Sequence, residues 1–111
     1  MTVESPLMAT DDDRLLTGWG RTAPSRATVR SPSTYDEVAA AIREAGPRGV
    51  LARGLGRSYG DAAQSGGATV FDMTGLHRFE LDIDSGTVTA DAGASIDEIL
   101  RAIVPAGFFV P

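Results

Sequence analysis

The chain has 111 residues, 42% of them apolar and 23% charged, with a formal net charge of −5. That length and balance suit one small domain around one core, and the acidic sign argues against nucleic acid as a partner, whose phosphates are met by basic faces. The absence of cysteine excludes disulfides and thiolate chemistry, the single histidine excludes a histidine-rich metal site, and no apolar run approaches the roughly 18 residues of a membrane helix.

Residues 1–13 are polar, acidic and aperiodic, and are expected to form a disordered tail. Thr10-Asp11-Asp12-Asp13 is acidic where a signal peptide would be basic, which favours a cytoplasmic start. Residues 14–24 read as a loop, because Gly18 and Gly20 bracket Trp19 and a helix would not tolerate them cheaply. Trp19 either closes the core or lies against a planar ligand. Ala27, Thr28, Val29 and Arg30 form a candidate strand ended by Ser31-Pro32. A helix follows, capped by Ser33 with Asp36 or by Thr34 with Glu37. Val38, Ala41, Ile42 and Ala45 make its apolar stripe, and Gly46-Pro47 stops it. Val50-Leu51-Ala52 then reads as a short buried strand. If it shares a sheet with the first strand, the two are parallel.

Residues 68–72, rich in β-formers, are a third strand. A hairpin comes next: Phe79, Leu81 and Ile83 alternate with acidic residues, Val88, Ala90 and Ala92 alternate with polar ones, and Asp84-Ser85-Gly86 turns the chain. One face of the hairpin should meet the core. Ser95 and Glu98 suit a capping box for a last helix with Ile96, Ile99, Leu100 and Ile103 as its buried stripe. After Pro105-Ala106-Gly107, Phe108-Phe109-Val110 looks like the start of another strand. An apolar end with nothing after it to cover it suggests a fragment of a longer chain.

The chemistry concentrates in Ala52-Arg53-Gly54-Leu55-Gly56-Arg57-Ser58-Tyr59-Gly60-Asp61, which leaves the end of a buried strand, where ligands of open α/β sheets usually sit. Its glycines are spaced G-x-G-x-x-x-G and no helix follows, so it is a poor dinucleotide fingerprint. It also lacks the Gly-Lys-Ser/Thr of a P-loop. What remains is a run of loop amides, bare at glycine, that can face phosphate oxygens. Arg57 and Ser58 can add hydrogen bonds, and Tyr59 can pack on a flat ring. The bland alternatives are a tight surface turn, with Arg53 a plain surface cation and Asp61 a local cap.

This run resembles the first pyrophosphate-binding loop of the vanillyl-alcohol-oxidase/p-cresol-methylhydroxylase (PCMH) superfamily of FAD-binding proteins. Within it the likeness is greatest to oxidases of polyprenyl-phosphate sugars. Two further stretches carry it: Leu-Thr-Gly-Trp-Gly-Arg-Thr-Ala-Pro-Ser ending at Ser25, and Asp91-Ala92-Gly93 with the helix after it. The resemblance implies an α+β fold, the N-terminal subdomain of a PCMH-type FAD-binding domain over residues 14–111, with a small mixed sheet and two helices. It implies FAD along Ala52 to Ala62, held by the main chain of Gly54 to Gly60. Many relatives join a loop histidine to the flavin; Arg57 stands at that place, which implies non-covalent FAD. It further implies oxidation of a sugar secondary alcohol to a ketone, a polyprenyl-phosphate sugar substrate and a short-chain reductase partner. Catalytic side chains would lie beyond Pro111, so none is assigned, and His77 reads as a surface residue. These 111 residues alone would bind FAD weakly or not at all. The rival reading is a non-catalytic nucleotide-binding or interaction module.

Overall fold

The computed structural model of the chain describes residues 12–111. Within them the architecture is α+β: a four-stranded mixed sheet, a separate two-stranded hairpin and two helices. The sheet order is β1 (Asp12–Leu16), β2 (Ser25–Arg30), β4 (Thr69–Asp72), β3 (Val50–Arg53). β1 and β2 pair antiparallel, while β2 and β3 each pair parallel with β4. The expected strand–helix–strand unit therefore exists, but its two strands are not neighbours, because β4 lies between them.

The expected tail of residues 1–13 lies outside the described residues as far as residue 11. Asp12 and Asp13 belong to β1, opposite Val29 and Thr28, and Arg14 is strand rather than loop. The charges that made this segment look like a tail fit an edge strand, where charged side chains blunt further pairing. Arg26 reaches Asp13 at 3.7 Å across the pair, and Arg14 lies 3.5 Å from Asp12.

Successive residues of a strand face opposite sides of the sheet, and β4 is buried on both. Val70 joins Leu16, Ala27 and Val29, with Leu51 against them. Phe71 joins Ala41, Met73 and Leu76, with Val38 and Val50 against them. Helix α1 (Tyr35–Arg43) supplies Val38 and Ala41 to this second cluster. Thr34 is its cap, accepting from the Glu37 amide at 3.1 Å, while Glu37 accepts from the Ser33 amide. Ile42, expected on the buried stripe, is exposed, since one short helix over a narrow sheet covers few positions.

β5 (Phe79–Asp82) and β6 (Thr87–Ala90) form the hairpin. The connection is one residue longer than expected. Asp82 Oδ1 accepts from the Asp84 and Ser85 amides, and Gly86 closes the turn on the Asp82 carbonyl. Ile83 is thereby pushed into solvent, and Ala90 is exposed too. The apolar hairpin face is only half covered, by Phe79, Leu81 and Val88. Helix α2 (Ile96–Ile103) has the expected capping box between Ser95 and Glu98, and buries Ile99 and Ile103. Ile96, expected in that stripe, is exposed. Residues 108–110 form no strand: Gly107 adopts φ 92 and the Phe108 amide returns to the Ile103 carbonyl at 3.1 Å. Among the described residues no helix is long and apolar enough to cross a membrane.

Candidate functional site

The glycine-rich run starts inside the sheet. Ala52 pairs with Phe71 and Arg53 with Asp72 at the end of β3, and Gly54 begins the loop. The loop is exposed almost throughout. Among the described residues, the amides of Leu55, Gly56, Arg57, Ser58 and Tyr59 donate to no protein acceptor. Only buried backbone groups need a protein partner; in this exposed loop the donors are open to solvent or a ligand.

Two devices hold the loop in this shape. The first is Arg53. Its Nη1 donates to the Ala63 carbonyl at 2.9 Å, and its guanidinium fills the place where Gly56 would carry a Cβ. Gly56 itself has φ 70, the left-handed region that glycine enters without penalty. The second is Gln64, a residue that sequence reasoning passed over. Its Oε1 accepts from the Gly18 amide at 3.0 Å, and its Nε2 donates to the Leu16 and Ala23 carbonyls and to Ser25 Oγ at 3.0–3.1 Å. One side chain therefore clamps the Trp19 loop to the glycine loop, and the Trp19 amide adds a bond to the Ser58 carbonyl at 3.0 Å.

Trp19 is 63% exposed and Tyr59 79%. Trp19 is thus no lid on the core; it meets Tyr59 edge to face, with centroids 5.4 Å apart. Asp61 is exposed and its carbonyl accepts from the Gln64 amide, while Ala62 is an exposed turn residue.

Facing the loop is the segment Asp91-Ala92-Gly93. Gly93 packs so closely that a Cβ there would collide with the Met73 and Leu76 carbonyls. Asp91 accepts from the Tyr35 hydroxyl at 2.8 Å and from the Arg78 amide at 3.0 Å. The Tyr35 bond, then the Arg78 amide, hold the Asp91 carboxyl below the usual carboxylate range, and the same bond holds the Tyr35 phenol above its ordinary value. Between the two segments runs a groove of about 690 Å³, with Gly54, Leu55, Arg57 and Thr74 on one wall and residues 92–97 on the other. Its upper wall ends in the N-terminal turn of α2, where Ser95 and Glu98 cap each other's amides and Asp97 brings a carboxylate to the groove. His77 stands elsewhere, beside Tyr35 and Arg78, with Nδ1 3.9 Å from Glu98.

A groove lined by amides and an arginine that have no partner among the described residues, and by a glycine that a side chain cannot replace, suits the phosphates and flat rings of a dinucleotide. Residues 27–111 match the FAD binding domain family, and the chain belongs to it. It is 52% identical over 101 residues to the decaprenylphosphoryl-beta-D-ribose oxidase of Mycolicibacterium smegmatis, covering 86% of this chain and 22% of that protein. It is 45% identical over 87 residues to the L-gulono-1,4-lactone dehydrogenase of Mycobacterium tuberculosis, covering 75% of this chain and 18% of that protein. The chain thus spans about a fifth of the length of these relatives.

Proposed function

We propose that this chain forms one wall of the FAD site of a flavin-dependent oxidoreductase that oxidises a secondary alcohol of a sugar, with a polyprenyl-phosphate ribose as substrate and a short-chain reductase taking the product. The observation that carries the reading is the row of unspent amides from Leu55 to Tyr59 beside Arg57. FAD bound there supplies a two-electron acceptor. The loop amides and the Arg57 guanidinium bind the pyrophosphate, and neutralising it in a partly dry groove is a charge-assisted interaction. Tyr59 and Trp19 present exposed ring surface beside it. Arg57 has no nucleophilic nitrogen at neutral pH, which favours non-covalent attachment. The names of both relatives, an oxidase of a sugar derivative and a dehydrogenase of a sugar lactone, support the reaction class.

Trp19 is the only tryptophan, so its fluorescence reports the site. Because the chain supplies one wall of the site, binding should be weak: FAD in large excess should quench it saturably, and acid precipitation should then release all the flavin into solution. Gly56→Val should abolish the quench while the far-UV circular dichroism is retained. An unchanged quench in Gly56→Val would remove the main-chain cradle, and flavin carried down with the precipitate would remove the non-covalent attachment.

A further inference from the structure

The glycine loop has a second side. Opposite the groove shared with α2 lies a smaller one of about 340 Å³, between the Trp19 loop and the same glycine run. Arg21, Arg53 and Arg57 all line it, with Trp19, and no carboxylate does. In a chain of net charge −5 this is a local reversal of sign. Among the described residues none of the three arginines is ion-paired. Three unpaired guanidinium groups repel one another, and their convergence costs free energy that an anion returns.

The backbone that carries Arg21 is itself unusual. Arg21 has φ 56 and Ala23 φ 46, a region that side chains with a Cβ avoid because it strains the backbone. The strain is held in place. The Arg21 amide bonds the Gly18 carbonyl at 3.1 Å, and Gln64 grips the Ala23 carbonyl at 3.0 Å. Arg53 is fixed by Ala63. The backbone that carries Arg21 and the guanidinium of Arg53 are thus set in position before any ligand arrives.

We infer that this groove binds the phosphodiester of the second substrate, the group that joins lipid to sugar, while the groove on the α2 side takes the cofactor pyrophosphate. The inference rests on the flavin-dependent reading above. Arg57 lines both grooves and would stand between the two phosphates, so that each ligand screens it for the other. Arg21 lines only the smaller groove, beside Trp19 and its edge-on partner Tyr59, and is the residue that separates the two sites.

The test is a phosphorus-31 NMR titration of the flavoprotein that contains these residues, with FAD and ribosyl geranyl phosphate together, whose pyrophosphate and diester signals are resolved. Arg21→Gly suits the left-handed φ and so spares the fold. It should weaken diester binding at least tenfold and leave FAD binding within twofold of the parent. Gly56→Val should do most of its damage to the pyrophosphate signals. If Arg21→Gly weakens FAD as much as the diester, the smaller groove belongs to the cofactor and the inference is overturned. Diester binding unaffected by Arg21→Gly overturns it equally. If the parent binds the diester through Arg21 but leaves the FAD signals untouched, the flavin reading fails and the anion site stands.

Discussion

The two walls of the larger groove are built in opposite ways. On the side of residues 92–97, and in Asp91 just before them, most polar groups are spent: the Asp91 amide on Arg78, its carboxylate on Tyr35 and Arg78, the Gly93 amide on Leu76, the Ala94 amide on Asp91, and Ser95 on its capping box. On the glycine-loop side the amides from Leu55 to Tyr59 are spent on nothing described. Exposed glycines alone would make such a loop floppy, yet Arg53 and Gln64 brace it from beneath. One wall is closed on itself and rigid; the other is shaped from behind and open in front. Unused hydrogen-bonding capacity, rather than glycine content, is what distinguishes the two walls.

The largest effect should come from breaking the closed wall. Gly93→Val drives a side chain into the backbone carbonyls of Met73 and Leu76, and should cost on the order of 3 kcal/mol in a urea unfolding series. Gly56→Val meets only the flexible end of Arg53 and should cost about 1–2 kcal/mol, mainly from its positive φ. An equal loss from the two changes would erase the contrast. Next comes Gln64→Ala, which removes four hydrogen bonds and should cost about 2 kcal/mol. Its distinguishing sign is lower Trp19 fluorescence anisotropy, as the loop is released; unchanged anisotropy would mean that Gln64 does not brace it.

The smallest effect is a change in pH dependence. A carboxyl held below its ordinary range stabilises the fold above that range, and the contribution is lost as pH falls through the lowered value. For Asp91 that loss begins below about pH 3.9. Tyr35→Phe removes the leading cause of the Asp91 shift, so the acid fall in the urea midpoint should be smaller and complete at higher pH. The Tyr35 phenol, held above its ordinary value, contributes below about pH 10 and loses that contribution as pH rises through the raised value. The variant should therefore lack part of the alkaline fall as well. Identical profiles would show that the Tyr35–Asp91 bond does not couple α1 to the groove.

Local chemistry made several of these elements legible in the sequence. The Thr34 cap, the Ser95–Glu98 box and the Asp-Ser-Gly turn each act over a few residues, and each is present. The glycine run was visible because its composition is local and unusual. What stayed hidden was long-range. β1 resembles a tail because charged edge strands do, and the insertion of β4 between β2 and β3 is decided by packing on both its faces. Gln64 gave no signal at all, since three of its partners are backbone groups 41–48 residues away in sequence. Arg21 carried no signal of its own in the sequence; the fold brings it to the same groove as Arg53 and Arg57.

The sheet order also carries a temporal consequence. β2 and β3, with α1 between them, cannot hydrogen-bond to each other; both wait for β4. A ribosome therefore delivers the glycine loop before the strand that anchors its base. Pairings between segments far apart in sequence form slowly, so the nascent loop passes through a period with its arginines and glycines unsupported. Residues 69–72 act as the keystone whose arrival turns a flexible basic segment into a preorganised site. Substitutions in β4 should therefore register first in folding yield rather than in ligand affinity.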